Sequence, residues 1–306
     1  MESWELAQKQ SLPLKAKIIL SKQRIKEWYE HWNGDVYVAF SGGRDSTVLL
    51  HLVRDVYPDV PAVFCDTGLE YPEIKQFVKT IPNVTTIKPE MNFKKVIDEY
   101  GYPVASKKIA RMIRDLQNPT SNNKQVRKLY LTGIKKDGSY SDDFLLPKKW
   151  RKLINAPFKV SEKCCDIMKK SPFKKYEKDT GNKCIIGVMA CDSEQRKTSY
   201  LKTGCYTFEN GKVQCKPIGF WLHNDILSCI EQNNISYCPI YDMGIENTGC
   251  MFCMFGVHLE NKPNRFQQMR YTHPKIWKYC IDDMGVGKVM DYIGVDYGRC
   301  NLDDFI

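Results

Sequence analysis

The sequence predicts an α/β fold, a doubly wound and mostly parallel sheet followed by a small helical C-terminal region. Three observations lead there. Short apolar runs alternate with stretches of helical apolar spacing, the pattern of parallel βαβ units. The first apolar run passes directly into a glycine-rich turn, "SGGRDS" at 41–46, and then into a helix-like stretch. The chain has 306 residues, 42% hydrophobic and 27% charged, enough for one large domain or a large and a small one.

The elements follow in order. Residues 14–32 repeat apolar positions at helical spacing without Gly or Pro. Val36 to Phe40 reads as a strand and Thr47 to Val56 as a helix. Ala62 to Cys65 is a second strand, ended by "DTG", and "YPEIKQFVKT" opens a helix with Pro in its first turn. Val84 to Ile87 is a third strand, and "NFKKVIDEYG" a helix closed by Gly101. The alternation breaks over 117–160, which reads as an insertion or mobile arm. "CCDIMKKSPFKKYEK" is a further helix, "KCIIGVMA" a strand, "KPIGFW" a short strand and turn, and "NDILSCIEQNN" a helix with Asn224 as its cap. From Tyr237 the chain becomes a compact loop, and a helical tail follows from Asn264. The expected division is a helical segment at 1–34, a main domain at 35–260 with a basic insertion at about 107–160, and a tail at 261–306. No repeat or low-complexity tract is present.

The net charge is +10 and uneven. Lys107 to Lys178 hold 20 basic and 7 acidic residues, leaving 26 against 29 elsewhere. Such a segment is either a solvated surface or a face for a polyanion such as RNA or DNA, with Tyr130, Tyr140 and Trp150 interleaved as stacking groups. No apolar run approaches the roughly 20 residues of a membrane helix. The opening "MESWELAQKQ" does not read as a secretory signal, so a cytoplasmic protein without membrane contact is expected.

A strand, a glycine-rich turn and a helix aim several backbone N–H groups at one point, which makes an anion site. Gly42 and Gly43 permit the sharp turn, and Ser41 and Ser46 add hydroxyls. The spacing is neither Walker A nor the dinucleotide fingerprint. It resembles the PP-loop of ATP pyrophosphatases, which implies that Ser41, Gly42, Gly43, Arg44, Asp45 and Ser46 hold phosphates. Asp66, Thr67 and Gly68 end the second strand, where open sheets bind ligands, and Asp66 is placed to hold Mg²⁺ on phosphates. "DTGLEYPE" and "GVMACDSEQR" resemble segments of the phosphoadenosine phosphosulfate (PAPS) reductase family. The resemblance covers about 35–260 and implies an adenine nucleotide alpha hydrolase-like fold, with Asp192, Ser193 and Arg196 lining the nucleotide site. Met189 stands where that family usually has Arg.

There are 13 cysteines. Cys164 and Cys165 are adjacent, and Cys250 and Cys253 form C-x-x-C after an 84-residue gap. Four thiolates from two segments suit zinc or an iron–sulfur cube, and the adjacent pair favours the wider ligand spacing of the cube. The layout resembles that of the [4Fe–4S]-binding sulfonucleotide reductases.

Two departures stand out. The reductases carry a Glu-Cys-Gly-x-His nucleophile motif, and here Cys300 in "GRCNL" is the nearest candidate. The reductases also tend to carry a degenerate PP-loop, whereas this one is intact. Three functions are therefore expected in competition. The first is ATP-dependent sulfur transfer to a nucleic-acid or small-molecule acceptor, with Asp45 and Arg196 in catalysis. The second is reduction of PAPS or its form lacking the 3′-phosphate (APS), with Cys300 as nucleophile. The third is a non-catalytic protein that binds nucleotide, cluster and nucleic acid. The enzymatic readings also need a sulfur- or electron-donor protein.

Overall fold

The computed structural model describes residues 1–208, 213–246 and 248–299. Among the described residues the strands are β1 (Val36–Ala39), β2 (Ala62–Cys65), β3 (Val84–Ile87), β4 (Val104–Ala105), β5 (Lys183–Ile186), β6 (Tyr206–Thr207), β7 (Gln214–Cys215) and β8 (Met254–Phe255). The chain divides into two compact units. One comprises Met1–Asp66, Glu70–Lys88 and Ser171–Thr248, the other Thr67–Leu69, Pro89–Lys170 and the chain from Gly249. These units cut across the 35–260 span expected for one domain.

The first unit is built on a six-stranded sheet ordered β3-β2-β1-β5-β7-β6, parallel except for β6 against β7. Val36, Tyr37 and Val38 of β1 are almost wholly buried, as a central parallel strand covered on both faces requires. The chain runs outward from β1 through β2 to β3, then returns to place β5 on the other side of β1. The strand order therefore reverses between β1 and β5, and the crevice beyond their carboxyl ends is where such sheets take ligands. The turn at 41–46 follows β1, and "GVMACDSEQR" follows β5.

Two groups in this unit illustrate its energetics. Lys17, in the helix Leu14–His31, is 2% exposed and pairs at 2.6 Å with Asp225 of the helix His223–Gln232. Lys17→Ala leaves that carboxylate without its cation, and chemical denaturation is expected to show a loss of about 3–5 kcal/mol. Cys184 of β5 packs in a core cluster with Tyr37 and Val63. Burial pushes its thiol up to about 12 from an ordinary 9.0. Its stabilising contribution is complete below pH 9 and is lost as pH rises toward 12. Cys184→Val is therefore expected to flatten the alkaline fall in stability by up to about 1.4 kcal/mol per pH unit.

The second unit holds the parallel pair β4–β8 and helices that include Lys107–Gln117, Lys124–Thr132, Arg265–Thr272 and Val286–Ile293. The 117–160 segment is a packed part of this unit and not a mobile arm. It forms the helix Lys124–Thr132 and 3₁₀ turns at Asp142–Phe144 and Lys148–Asn155, and it buries Leu146 and Leu153 completely. Its apolar residues are spaced too irregularly to announce a helix, yet they share one interior. A further correction concerns Asn224. The helix there is capped by Leu222, whose N–H donates to Asp225 Oδ2 at 2.7 Å.

Candidate functional site

The turn after β1 is braced by its own hydroxyls. Ser41 Oγ and Ser46 Oγ lie 3.0 Å apart, the Ser41 N–H donates to Ser46 Oγ, and Ser46 Oγ donates to the Gly43 carbonyl at 2.9 Å. Gly42 has φ +75°, and a Cβ there would meet Ile74 Cγ2 at 2.9 Å, so both the turn and its packing require glycine. Gly43 caps the helix Arg44–Arg54, whose first amides are unpaired by helix bonds. Side-chain oxygens currently accept from these amides: Gly43 N–H donates to Ser41 Oγ at 3.3 Å, and Arg44 N–H to Tyr241 Oη at 2.9 Å. Phosphate oxygens would accept from the same donors. The Arg44 guanidinium lies over the Tyr241 ring, 3.9 Å from its centroid.

The segment after β5 closes on this turn. The position of Gly187 is so near that a Cβ would sit 3.2 Å from the Asp45 carbonyl. Asp45 is held above the usual carboxylate range by burial first and by the negative charge of Asp192 second, with His223, Arg196 and Arg44 opposing. Asp192 Oδ2 accepts from Met189 N–H at 3.0 Å and from Arg196, while its Oδ1 lies 3.8 Å from His223 Nε2. Ser193 caps the helix Glu194–Thr203, accepting from Arg196 N–H. Two carboxylates and two arginines thus share electrostatic influence beside the phosphate-shaped turn.

The residues expected after β2 are divided. Asp66 belongs to the first unit, where it pairs with Lys75 at 2.7 Å. Thr67 and Gly68 belong to the second, where Thr67 Oγ1 accepts from Leu69 N–H at 3.2 Å.

The four cysteines meet within the second unit. Cys164 and Cys165 open the helical run that continues through Lys170, and Cys250 and Cys253 lie just before β8. All four line one cavity with Leu69, Phe93, Met168 and Lys169. Burial pushes the Cys164 thiol well above its ordinary value, and the charges of Cys165, Cys250 and Cys253 push it the same way. Cys253 is raised to about 11, chiefly by burial. Lys169 and Arg265 oppose these shifts at Cys164 and Cys253 respectively. A soft, four-thiolate donor set with apolar walls and nearby cations fits an iron–sulfur or zinc centre, in which bound metal replaces the thiol protons.

Comparison with known proteins gives the family. The model of the phosphoadenosine phosphosulfate reductase domain matches residues 35–139 and 143–255. The chain belongs to the phosphoadenosine phosphosulfate reductase family. An adenosine 5′-phosphosulfate reductase of Anoxybacillus flavithermus is 24% identical over 260 residues, covering 85% of this chain and 89% of that one. An uncharacterized protein of Methanocaldococcus jannaschii is 23% identical over 266 residues, covering 84% of this chain. The chain spans only 50% of the length of that archaeal relative. The crystal structure of PAPS reductase from Candida auris, a phosphate complex, superposes with a TM-score of 0.45 at 15% identity, over 82% of this chain and 96% of the other. Among the described residues, no helix is long and apolar enough to cross a membrane.

Within this family member the basic segment differs from expectation. Trp150 and Tyr130 are 5% and 9% exposed, so neither offers a stacking face. Tyr140, at 58%, is exposed. Interleaved aromatics in a basic segment announced a platform, but two of the three serve the interior. Cys300 lies outside the described residues. Tyr241 and His223 also stand at this site, the first accepting from Arg44 N–H and the second beside Asp192. Only the folding of 223 and 241 onto the ends of β5 and β1 shows their place, and no local motif marks either one.

Proposed function

We propose that the chain is an ATP-dependent sulfurtransferase carrying a [4Fe–4S] cluster, acting on a nucleic-acid or small-molecule acceptor. The observation that carries this reading is the carboxylate pair Asp45 and Asp192 beside the turn at Ser41–Ser46. A triphosphate brings Mg²⁺, and paired carboxylates are the side chains that hold it. In this reading the amides of Gly43 and Arg44 and the hydroxyls of Ser41 and Ser46 hold the β and γ phosphates as they leave. Arg196 and Arg44 offset the charge that develops at the α phosphate. An oxygen of the acceptor attacks the α phosphorus and pyrophosphate departs. A sulfide-level donor then displaces AMP from the activated acceptor, so that one carbon–sulfur bond forms as the bond to the AMP oxygen breaks and no change of oxidation state is needed. The loop catalyses by position and charge, with no covalent chemistry of its own.

Cys164, Cys165, Cys250 and Cys253 would hold the cluster. The adjacent pair at the start of a helical run spreads its side chains, which suits a cube better than a single tetrahedral ion. Bound there, the cluster supplies a site at which sulfur or electrons are held. The basic residues of 107–178 give the acceptor-binding reading a positive surface, without the aromatic platform.

A second reading is favoured by the A. flavithermus relative, whose match covers most of both chains: a sulfonucleotide reductase, with Cys300 as nucleophile. Product analysis separates them. With ATP and Mg²⁺ the sulfurtransferase forms pyrophosphate and AMP in equal amounts once acceptor and donor are present, and forms no sulfite from PAPS or APS. Sulfite from either sulfonucleotide, with no pyrophosphate from ATP, would make the second reading the correct one.

A further inference from the structure

Beside the phosphate-shaped turn, three side chains that the proposed ATP chemistry does not all use lie together. Cys191 Sγ, an Asp192 carboxylate oxygen and a His223 ring nitrogen lie within 4.8 Å of one another. They come from two elements of the first unit. Cys191 and Asp192 belong to the 3₁₀ turn Ala190–Asp192 after β5, and His223 opens the helix His223–Gln232. The cluster is therefore assembled by tertiary folding.

The details suit a cation. Asp192 Oδ2 is occupied by Met189 N–H and Arg196, which fixes the carboxylate and leaves Oδ1 facing His223 Nε2 at 3.8 Å. Outer contacts of this sort orient a ligating carboxylate. The Cys191 S–H donates to the Trp221 carbonyl at 3.4 Å, so the sulfur is held on the His223 side of the turn. Cys191 and Asp192 are half-buried, whereas His223 is exposed and gives access from solvent.

We propose that Cys191, Asp192 and His223 form a binding site for a borderline divalent cation of the Zn²⁺, Fe²⁺ or Co²⁺ class. The donor set selects against Mg²⁺ and Ca²⁺, which take oxygen ligands almost exclusively, and toward metals that accept sulfur and imidazole. Bonds of roughly 2.0–2.3 Å need the three donors to close by only a small movement from their present spacing. Three protein ligands leave a coordination position open, the layout of a catalytic site and not of a closed structural one. Water or a phosphate oxygen would fill it. Binding displaces one proton from Cys191 and none from His223 or Asp192 in their neutral and ionised forms.

The site does not depend on the ATP reading, because it is tested without nucleotide. Co²⁺ is titrated into the anaerobic, cluster-loaded chain and followed by difference absorption. The expected result is one saturable equivalent with a sulfur-to-cobalt charge-transfer band and visible bands of four-coordinate intensity. Cys191→Ser should abolish the sulfur band, and His223→Asn should weaken binding by at least about tenfold, the scale set by loss of weaker outer contacts. A tenfold excess of Mg²⁺ should not displace the cobalt. Binding without a sulfur band, or a band of full size in Cys191→Ser, would overturn the proposal and place the metal elsewhere. Intact circular dichroism in both variants keeps a folding failure from being read as support. If ATP turnover fails but the cobalt signature appears, the metal site stands and the sulfurtransferase reading falls.

Discussion

Asp45→Asn is expected to lower pyrophosphate release from ATP by about two to three orders of magnitude, the scale of losing one preorganised electrostatic group. It should leave the chain folded and no less stable. Asp45 sits in the first turn of the helix Arg44–Arg54, directly after the glycines of the loop. Burial and Asp192 hold its carboxyl above the usual range, so its ionised form weighs against the native state. The sign for stability follows. A carboxyl raised on folding favours the native state at low pH, and that contribution is lost as pH rises through its folded value. The amide of the variant neither ionises nor repels Asp192, so stability at neutral pH should hold or increase while activity collapses. Urea unfolding beside a pyrophosphate assay checks both halves. Equal losses of stability and activity would mean that Asp45 is a structural residue.

Cys250→Ser is the second change with a large expected effect. Iron and acid-labile sulfide should fall at least about tenfold, since a ligand weighs more than the outer contacts whose loss already costs that much. The effect should reach beyond metal content. Cys164 and Cys165 belong to one stretch of the second unit and Cys250 and Cys253 to another, so a shared centre staples two segments separated by 84 residues. Without it, the four cysteines line a cavity with nothing joining the two segments, and limited proteolysis should reach 249–260 sooner. Full iron content in Cys250→Ser would remove this cysteine from the ligand set. Zinc in place of iron and sulfide in the anaerobic wild-type chain would replace the cluster with a mononuclear centre.

How much of this was legible beforehand varies with the kind of signal. The sheet was readable because β1, β2 and the middle of β5 are buried apolar runs bounded by turn residues, as central parallel strands demand, while the edge strand β3 shows as a short β-branched run, VTTI. The loop was readable because only glycine tolerates the conformation at Gly42 and the close packing there. The pairing of Cys164–Cys165 with Cys250–Cys253 was readable from residue type, since clustered thiols in a chain of this kind favour metal. Other features depend on long-range folding. Nothing local says that Trp150 and Tyr130 turn inward, because basic neighbours and aromatic rings look the same on a surface and around a small core. The trio of Cys191, Asp192 and His223 spans 33 positions and needs the helix after Trp221 to return to the end of β5. The assignment of Thr67 and Gly68 to one unit and Asp66 to the other is likewise invisible in "CDTGLE".

The central claim is that the turn at Ser41–Ser46 takes ATP with Mg²⁺. Calorimetric titration of the anaerobic chain tests it directly, with a non-hydrolysable ATP analogue and Mg²⁺ set against PAPS and APS. The account predicts saturable binding of the ATP analogue that weakens at least about tenfold in Asp45→Asn, the low end for loss of a charge-assisted contact, with no comparable binding of either sulfonucleotide. Tight binding of PAPS or APS without binding of the ATP analogue would contradict it, and would make Cys300 the next residue to replace.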